Sequence, residues 1–340
     1  MKALLLFTSI FAAAAGIGCG PGDSVPEDAA GTKIRFTDKT RETGVDFRHS
    51  GGRSEAKWMP EVLGGGVAIA DFNLDAAPDL LLFNSDSVIS EGRPAEASNR
   101  LYLNDGKGKF TDKTAEWNLP SPGFGQGAAV GDFDDDGLTD VFLTDYFGYN
   151  KLIRNTGSAF EDVTEASGIA DDDKWATSAG FSDLDGDGDL DIFVVRYVFY
   201  SQDTHVATYK NGLRTYSAPY LYQAVPDQIW ENQGDGTFVD VSEKAGITSE
   251  PEKGLALAIG DIDKDGDQDV YVANDTTPNQ LWLNDGKGLF EDRAKLTGAA
   301  YSEIGREEGS MGADFGDLDR NDLLDIVVTN FQEESTALYA

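Results

Sequence analysis

The chain has 340 residues, enough for one large core or two ordinary ones, and carries 27 Lys+Arg against 61 Asp+Glu, a formal net charge of −34. A surface of that sign repels nucleic acid and anionic lipid, so neither is expected as a partner. The single cysteine, Cys19, excludes an intramolecular disulfide.

Lys2 is followed by an uncharged, mostly apolar run over residues 3–18, too short to span a bilayer but suited to a signal peptide. The run ends at Gly16-Ile17-Gly18-Cys19, which resembles a bacterial lipobox, with Gly16 standing where leucine is usual. The resemblance implies that Cys19 is lipidated and becomes the mature N-terminus; ordinary secretion with cleavage nearby is the alternative. Residues 20–32, GPGDSVPEDAAGT, have the composition of a flexible tether. The expected division is a signal peptide over 1–18, a lipidated cysteine and tether over 19–33, and a folded part over 34–340, held to a membrane by the lipid alone.

The folded part opens with IRFTDKTRETGV at 34–45, a pattern that recurs at 109, 159, 237 and 289. Its phenylalanines are Phe36, Phe110, Phe160, Phe238 and Phe290, and a glycine follows eight residues later in every copy but the second, where Asn118 stands. A second motif precedes four of these copies: NRLYLNDGKGKF, NKLIRNTGSAF, DQIWENQGDGTF and NQLWLNDGKGLF. Alternating apolar residues, an Asn-x-Gly type turn and a further short strand predict a β-hairpin.

Between the hairpins lie five acidic loops, of which 261–269, DIDKDGDQD, is the type. Asp261, Asp263, Asp265 and Asp269 hold positions 1, 3, 5 and 9, and Gly266 holds position 6, where the backbone must turn sharply. Alternate spacing aims three carboxylates at one point, and a hard cation with six to eight oxygen ligands fits such a cluster. Ca²⁺ suits it better than Mg²⁺, which demands a stiffer octahedron. The backbone carbonyl of Asp267, at position 7, offers another oxygen. An EF-hand would close with Glu at position 12 between helices, whereas here Val270-Tyr271-Val272 follow at once and read as a strand. Asp132/Asp134/Asp136/Asp140 and Asp183/Asp185/Asp187/Asp191 repeat the pattern, with Leu138 and Asp189 at position 7. Asp71/Asn73/Asp75/Asp79 has Ala76 at the turn, and Asp317/Asp319/Asn321/Asp325, with Leu323 at position 7, has Asp322 there; these two loops are expected to bind more weakly. Five bound Ca²⁺ would move the net charge from −34 to −24.

Each unit therefore reads as a small-residue strand (GGGVAIAD, QGAAVGD, TSAGFSD, LALAIGD, MGADFGD), the metal loop, a hydrophobic strand and the hairpin, over about 60–115, 120–169, 172–247, 250–299 and 305–340. Units that cannot bury their own faces must stack, and radial stacking of four-stranded sheets gives an all-β propeller. These repeats resemble the FG-GAP or VCBS class of calcium-binding propeller repeats, as in integrin α-subunits. The wording of Phe36-x-Asp38-x-Thr40, Pro60-Glu61 and Gly64-Gly65-Gly66 is similar to the bacterial ASPIC/UnbV group related to cartilage acidic protein. In that group the propeller is usually seven-bladed and followed by a C-terminal domain; neither the remaining blades nor that domain is visible. The fifth unit stops at Ala340, within its hairpin, and residues 34–40 read as the outer strand of another blade, so an open, incomplete propeller is expected.

The third unit carries a long connection, 196–226, with Tyr197, Phe199, Tyr200, His205, Tyr209, Tyr216, Tyr220 and Tyr222. Exposed aromatics there would serve a glycan or a protein; otherwise the insert packs over its blade. His49 and His205 are isolated in sequence, and no nucleophile-elbow or zinc-protease motif occurs. The reading is a calcium-binding, cell-envelope lipoprotein acting as a binding or adhesion platform for a surface protein or glycan. The alternatives are a polysaccharide-active enzyme on a propeller scaffold and a structural module of a larger secreted protein.

Overall fold

The computed structural model describes residues 36–85, 99–120, 124–146, 149–170 and 173–340, so the leader, Cys19 and the tether lie outside the described residues. Each sequence unit forms one antiparallel sheet. The first four sheets have four strands: Val67–Ala70, Asp79–Leu82, Arg100–Asn104 and Phe110–Asp112; Gly125–Gly131, Asp140–Asp145, Lys151–Asn155 and Phe160–Asp162; Ala176–Ser182, Asp191–Arg196, Gln228–Asn232 and Phe238–Asp240; Gly254–Gly260, Asp269–Asn274, Gln280–Asn284 and Phe290–Asp292. The fifth has three described strands, Ser310–Gly316, Asp325–Asn330 and Ala337–Tyr339.

The apolar clusters lie between successive sheets, which is what a radial stack requires. On one strand of the second sheet, Val141 and Leu143 pack toward Leu81 and Leu101 of the first sheet, while Phe142 between them packs with Ile192 and Val194 of the third. Side chains alternate across a strand, so burial on both faces demands an unbroken apolar run, and VFL, IFVV and VYV supply it. The inner strands need small residues for a different reason. A Cβ on Gly127 would lie 2.8 Å from Thr177 O in the third sheet, and one on Gly180 would lie 2.6 Å from Ile259 Cδ1 in the fourth. The inner strands converge, and glycine permits the approach.

After each outer strand of the third and fourth sheets comes one helical turn, Ser242–Ala245 and Ala294–Thr297, closed by Gly246 and Gly298 in the left-handed region. The glycine eight residues past each phenylalanine is this helix stop. Asn118 takes the same left-handed conformation, φ 52°, the residue most able to replace glycine there. The turn Thr40–Thr43 with Gly44 follows the same rule. The expected outer strand at 34–40 does not form among the described residues: 36–39 are irregular, and Phe36 is 97% exposed where Phe160, Phe238 and Phe290 are buried. No described strand lies beside it to complete the ladder. Among the described residues, Ala337–Tyr339 likewise form a ladder only with residues 326–328.

The N-terminal segment enters the middle of the arrangement. Met59, in the short 3-10 turn Met59–Val62, packs with Phe124, Tyr146, Trp175, Tyr197, Tyr200 and Leu255, so one cluster draws on sheets two, three and four. Its backbone N–H donates to Tyr200 Oη at 3.0 Å. Glu61, 2% exposed, is held by Ser54, whose N–H donates to Oε2 at 3.1 Å.

Candidate metal centres

In all five units the acidic loop connects the inner strand to the next, and its carboxylates first serve the loop itself. In the first, second and fifth loops position 1 accepts N–H bonds from positions 5 and 6: Asp136 and Gly137 N–H donate to the two oxygens of Asp132 at 3.1 and 2.9 Å, and Asn321 and Asp322 do the same to Asp317 at 3.0 and 3.1 Å; in the third, Gly186 and Gly188, at positions 4 and 6, donate to Asp183. Position 5 accepts from position 7, as in Leu138 N–H to Asp136 Oδ1 at 3.0 Å, Asp189 to Asp187 at 2.9 Å, Asp267 to Asp265 at 3.3 Å and Leu323 to Asn321 at 2.7 Å. The carbonyl of Asp267, an expected ligand, accepts the Gln268 side-chain amide at 3.3 Å.

Position 9 has a second task that the spacing alone did not reveal. Asp79, Asp140, Asp191, Asp269 and Asp325 are all at most 2% exposed. One oxygen of each accepts the N–H of loop position 2: Phe72, Phe133, Leu184, Ile262 and Leu318 respectively. In the first four sheets the other oxygen accepts the N–H of an asparagine on the third strand: Asn104, Asn155, Asn232 or Asn284, at 2.7–3.0 Å. Each carboxylate oxygen keeps a further lone pair for a cation. Burial nevertheless pushes Asp140 and Asp191 up to about 7, against the pull of these hydrogen bonds.

Three carboxylate oxygens converge within 4.8 Å in four loops: Asp132/Asp134/Asp136, Asp183/Asp185/Asp191, Asp261/Asp263/Asp265 and Asp317/Asp319/Asp325. The first loop is not among these groups; there Asn73 Nδ2 donates to Asp75 Oδ2 at 3.0 Å and occupies that oxygen itself. The donor sets fit a hard divalent cation, and so do the unmet needs within them. Asp134 Oδ1, Asp261 Oδ1 and Asp267 Oδ1 are shielded from solvent and have no hydrogen-bond donor. Burial raises Asp267 to about 7, with Asp265 adding to it, and burial first and the Asp265 charge next raise Asp263. A cation would relieve these costs together.

The turn residues grade the loops. Position 6 is left-handed throughout: Gly137, Gly188 and Gly266 at φ 87°, 101° and 102°, but also Ala76 at 66° and Asp322 at 67°. Position 4 is left-handed as well, in Leu74, Asp135, Lys264 and Arg320, and only the third loop has glycine there, Gly186. A non-glycine residue in that region costs roughly 1–2 kcal/mol, so the third loop carries the least strain.

Two residues of the site escaped the sequence reading. Both stand just before the strand asparagine, one register step beyond the paired residues and opposite loop position 9. In the second sheet this is Arg154, with Nε 2.7 Å from Asp134 Oδ2 and Nη2 3.2 Å from Asp136 Oδ2. In the third it is Glu231, whose charge joins those of Asp187 and Asp183 in raising Asp185, after burial. The corresponding residues elsewhere are Leu103 and Leu283. Nothing in the alternating strand pattern marks this position as facing a loop.

A family model described as an FG-GAP-like repeat matches residues 71–143, 132–194, 216–272 and 261–328, more than half of the chain. Three of the four matches begin at the first aspartate of a loop. The chain belongs to the FG-GAP-like repeat family. As an FG-GAP-like repeat protein with this sheet order it is a β-propeller. It is also similar to cartilage acidic protein 1: 35% identical over 72 residues to that of Xenopus tropicalis, 30% over 115 residues to that of Mus musculus and 36% over 72 residues to that of Homo sapiens. These stretches are 20%, 33% and 20% of this chain and 11%, 17% and 11% of the relatives, so the match spans a small part of their length.

Proposed function

We propose that this FG-GAP-like repeat protein is an exported propeller, stiffened by Ca²⁺ in its acidic loops and anchored to the cell envelope by lipid on Cys19. It presents a recognition face built by the 196–226 insert to a surface protein or glycan. The observation that carries the binding role is how the insert divides its aromatics. Tyr197, Tyr200 and Tyr222 are buried and fasten it: Tyr200 Oη bonds His205 Nδ1 at 2.8 Å, and Tyr222 Oη donates to Ser217 Oγ at 2.8 Å. Phe199, Tyr209 and Tyr220 are 52%, 65% and 74% exposed, and Leu213 is 73% exposed on the small hairpin of Thr208–Lys210 and Leu213–Thr215. Large exposed aromatics on a fastened insert offer stacking area at little entropic cost. No described helix is long and apolar enough to cross a membrane.

The test is a glycan and envelope-protein binding screen with and without Ca²⁺, comparing the wild type with a Tyr209→Ala/Tyr220→Ala variant. Retention that needs Ca²⁺ and falls at least about tenfold in the variant supports the reading. Equal retention by the two proteins rejects the insert as the recognition face. In cells, Cys19→Ser should move the protein from the membrane to the soluble fraction; unaltered retention rejects the anchor.

A further inference from the structure

The four outer hairpins place one residue each against the loop of their own sheet, and only two of the four are charged, with opposite signs. Arg154 sets its guanidinium within 2.7 and 3.2 Å of the Oδ2 atoms of Asp134 and Asp136, two of the three residues whose carboxylates converge in the second loop. Glu231 occupies the same register, opposite Asp191 at loop position 9, and close enough for its charge to act on Asp185; its oxygens are held by Gln233 Nε2 at 3.2 Å and by Lys244 Nζ at 3.2 Å. The second loop therefore comes with a cation of its own, and the third with a further anion.

We propose that Arg154 is a covalently held counter-ion that keeps the second loop folded when Ca²⁺ is scarce and weakens its Ca²⁺ affinity, whereas Glu231 makes the third loop the tightest site. The inference rests on the reading of the loops as calcium sites and adds a ranking to it. A guanidinium ion-paired with two carboxylates, and hydrogen-bonded to Asp136, removes the repulsion that otherwise opens an empty loop, and it must be displaced, or tolerated as a like charge, before a divalent ion can use the same oxygens. Carboxylate count sets affinity in oxygen-ligand sites, and loop strain opposes it; the third loop is favoured on both, with the extra acid and with glycine at both left-handed positions, Gly186 and Gly188. The second and third loops, equivalent by their acidic spacing, thus divide into a calcium-independent brace and a calcium-dependent one.

Calorimetric Ca²⁺ titration of the chelator-treated full chain, paired with melts in chelator, tests this. Arg154→Leu should tighten one site by about tenfold or add one to the count, and should melt lower than wild type in chelator. Adding Asp134→Asn should abolish that gain, which places it in the second loop. Glu231→Leu should loosen the tightest site by about tenfold. Arg154→Gln, polar but uncharged, gives the same information if the leucine variant does not fold. A wild type that binds Ca²⁺ while Arg154→Leu and Arg154→Gln titrate and melt as it does overturns the counter-ion role alone. A gain that survives Asp134→Asn also overturns it. No Ca²⁺ uptake by the wild type or any variant overturns the calcium reading beneath it.

Discussion

Asn232 Nδ2, at the end of a strand in the third sheet, donates 2.9 Å to the backbone carbonyl of Phe133 in the loop of the second. The same bond runs from Asn155 to Phe72 O at 2.8 Å and from Asn284 to Leu184 O at 2.7 Å, so the first three acidic loops are each tied to the next sheet by one amide. Each asparagine also gives its backbone N–H to its own position-9 aspartate, which couples the metal loop of one sheet to that of its neighbour.

Asn232 is 1% exposed, and its amide also reaches Leu190 O at 3.2 Å while its Oδ1 accepts Gly234 N–H at 3.1 Å. Asn232→Ala leaves the buried Phe133 carbonyl and two part-buried backbone groups without this partner and should cost about 1–3 kcal/mol in urea unfolding. Asn232→Asp turns the amide donor into an acceptor facing two carbonyls and should cost more. Equal stability of the aspartate variant and wild type would show that the tie does not form.

Ala76→Gly should stabilise the metal-free protein by roughly 0.5–1 kcal/mol, because the left-handed penalty it removes exceeds the added entropy of unfolded glycine. Asp322→Gly should act in the same direction in the fifth loop. Urea midpoints measured in chelator decide it; a lower midpoint for Ala76→Gly would contradict the strain assigned to φ 66°.

Asp227 is buried, accepts the Arg196 N–H at 2.8 Å, and is pushed up to about 7 by that burial. An aspartate whose folded pKa exceeds its unfolded value of about 4 contributes stability at low pH, and that contribution is lost as pH rises through the folded value. Asp140 and Asp191, also near 7, act alike when no cation is present. In chelator the protein should therefore melt higher at pH 5 than at pH 8, and Asp227→Asn should reduce that difference. With Ca²⁺ bound, the loop carboxylates are held ionised and the order should reverse. A chelated protein that melts lower at pH 5 than at pH 8 would contradict this account.

The loops and the sheet order were legible because they are local: the 1-3-5-9 spacing of Asp261, Asp263, Asp265 and Asp269 and the apolar run after it need no distant partner. The inner strands were legible through their small residues, although what Gly127 and Gly180 approach was not. Asn155 and Asn232 looked like turn residues, since their Oδ1 atoms do serve the turn glycines; their Nδ2 partners lie 83 and 99 residues away. Arg154 and Glu231 sit among alternating strand residues, where a charge ordinarily means solvent. Residues 36–39 kept the outer-strand sequence without the strand, because a strand needs a neighbour and sequence pattern does not supply one.

Asp263→Ala should behave differently with and without metal. In chelator it removes a carboxylate raised first by burial and next by the Asp265 charge, so the melting temperature should hold or rise. In Ca²⁺ it should lose most of one loop's stabilisation, about 2–3 kcal/mol at saturation. Asn73→Ala, in a loop whose amide already caps Asp75, should change the Ca²⁺-dependent gain far less. Equal losses in the two variants would mean that the loops do not differ as their carboxylates do.

The most direct measurement is the thermal melt of the full chain after chelation, repeated with Ca²⁺ and with Mg²⁺ added back. Cations bound by the folded state alone should raise the melting temperature by roughly 5–10 °C with Ca²⁺ and by much less with Mg²⁺. A melting temperature that Ca²⁺ leaves unchanged within about 1 °C would contradict the assignment of the five acidic loops as calcium sites.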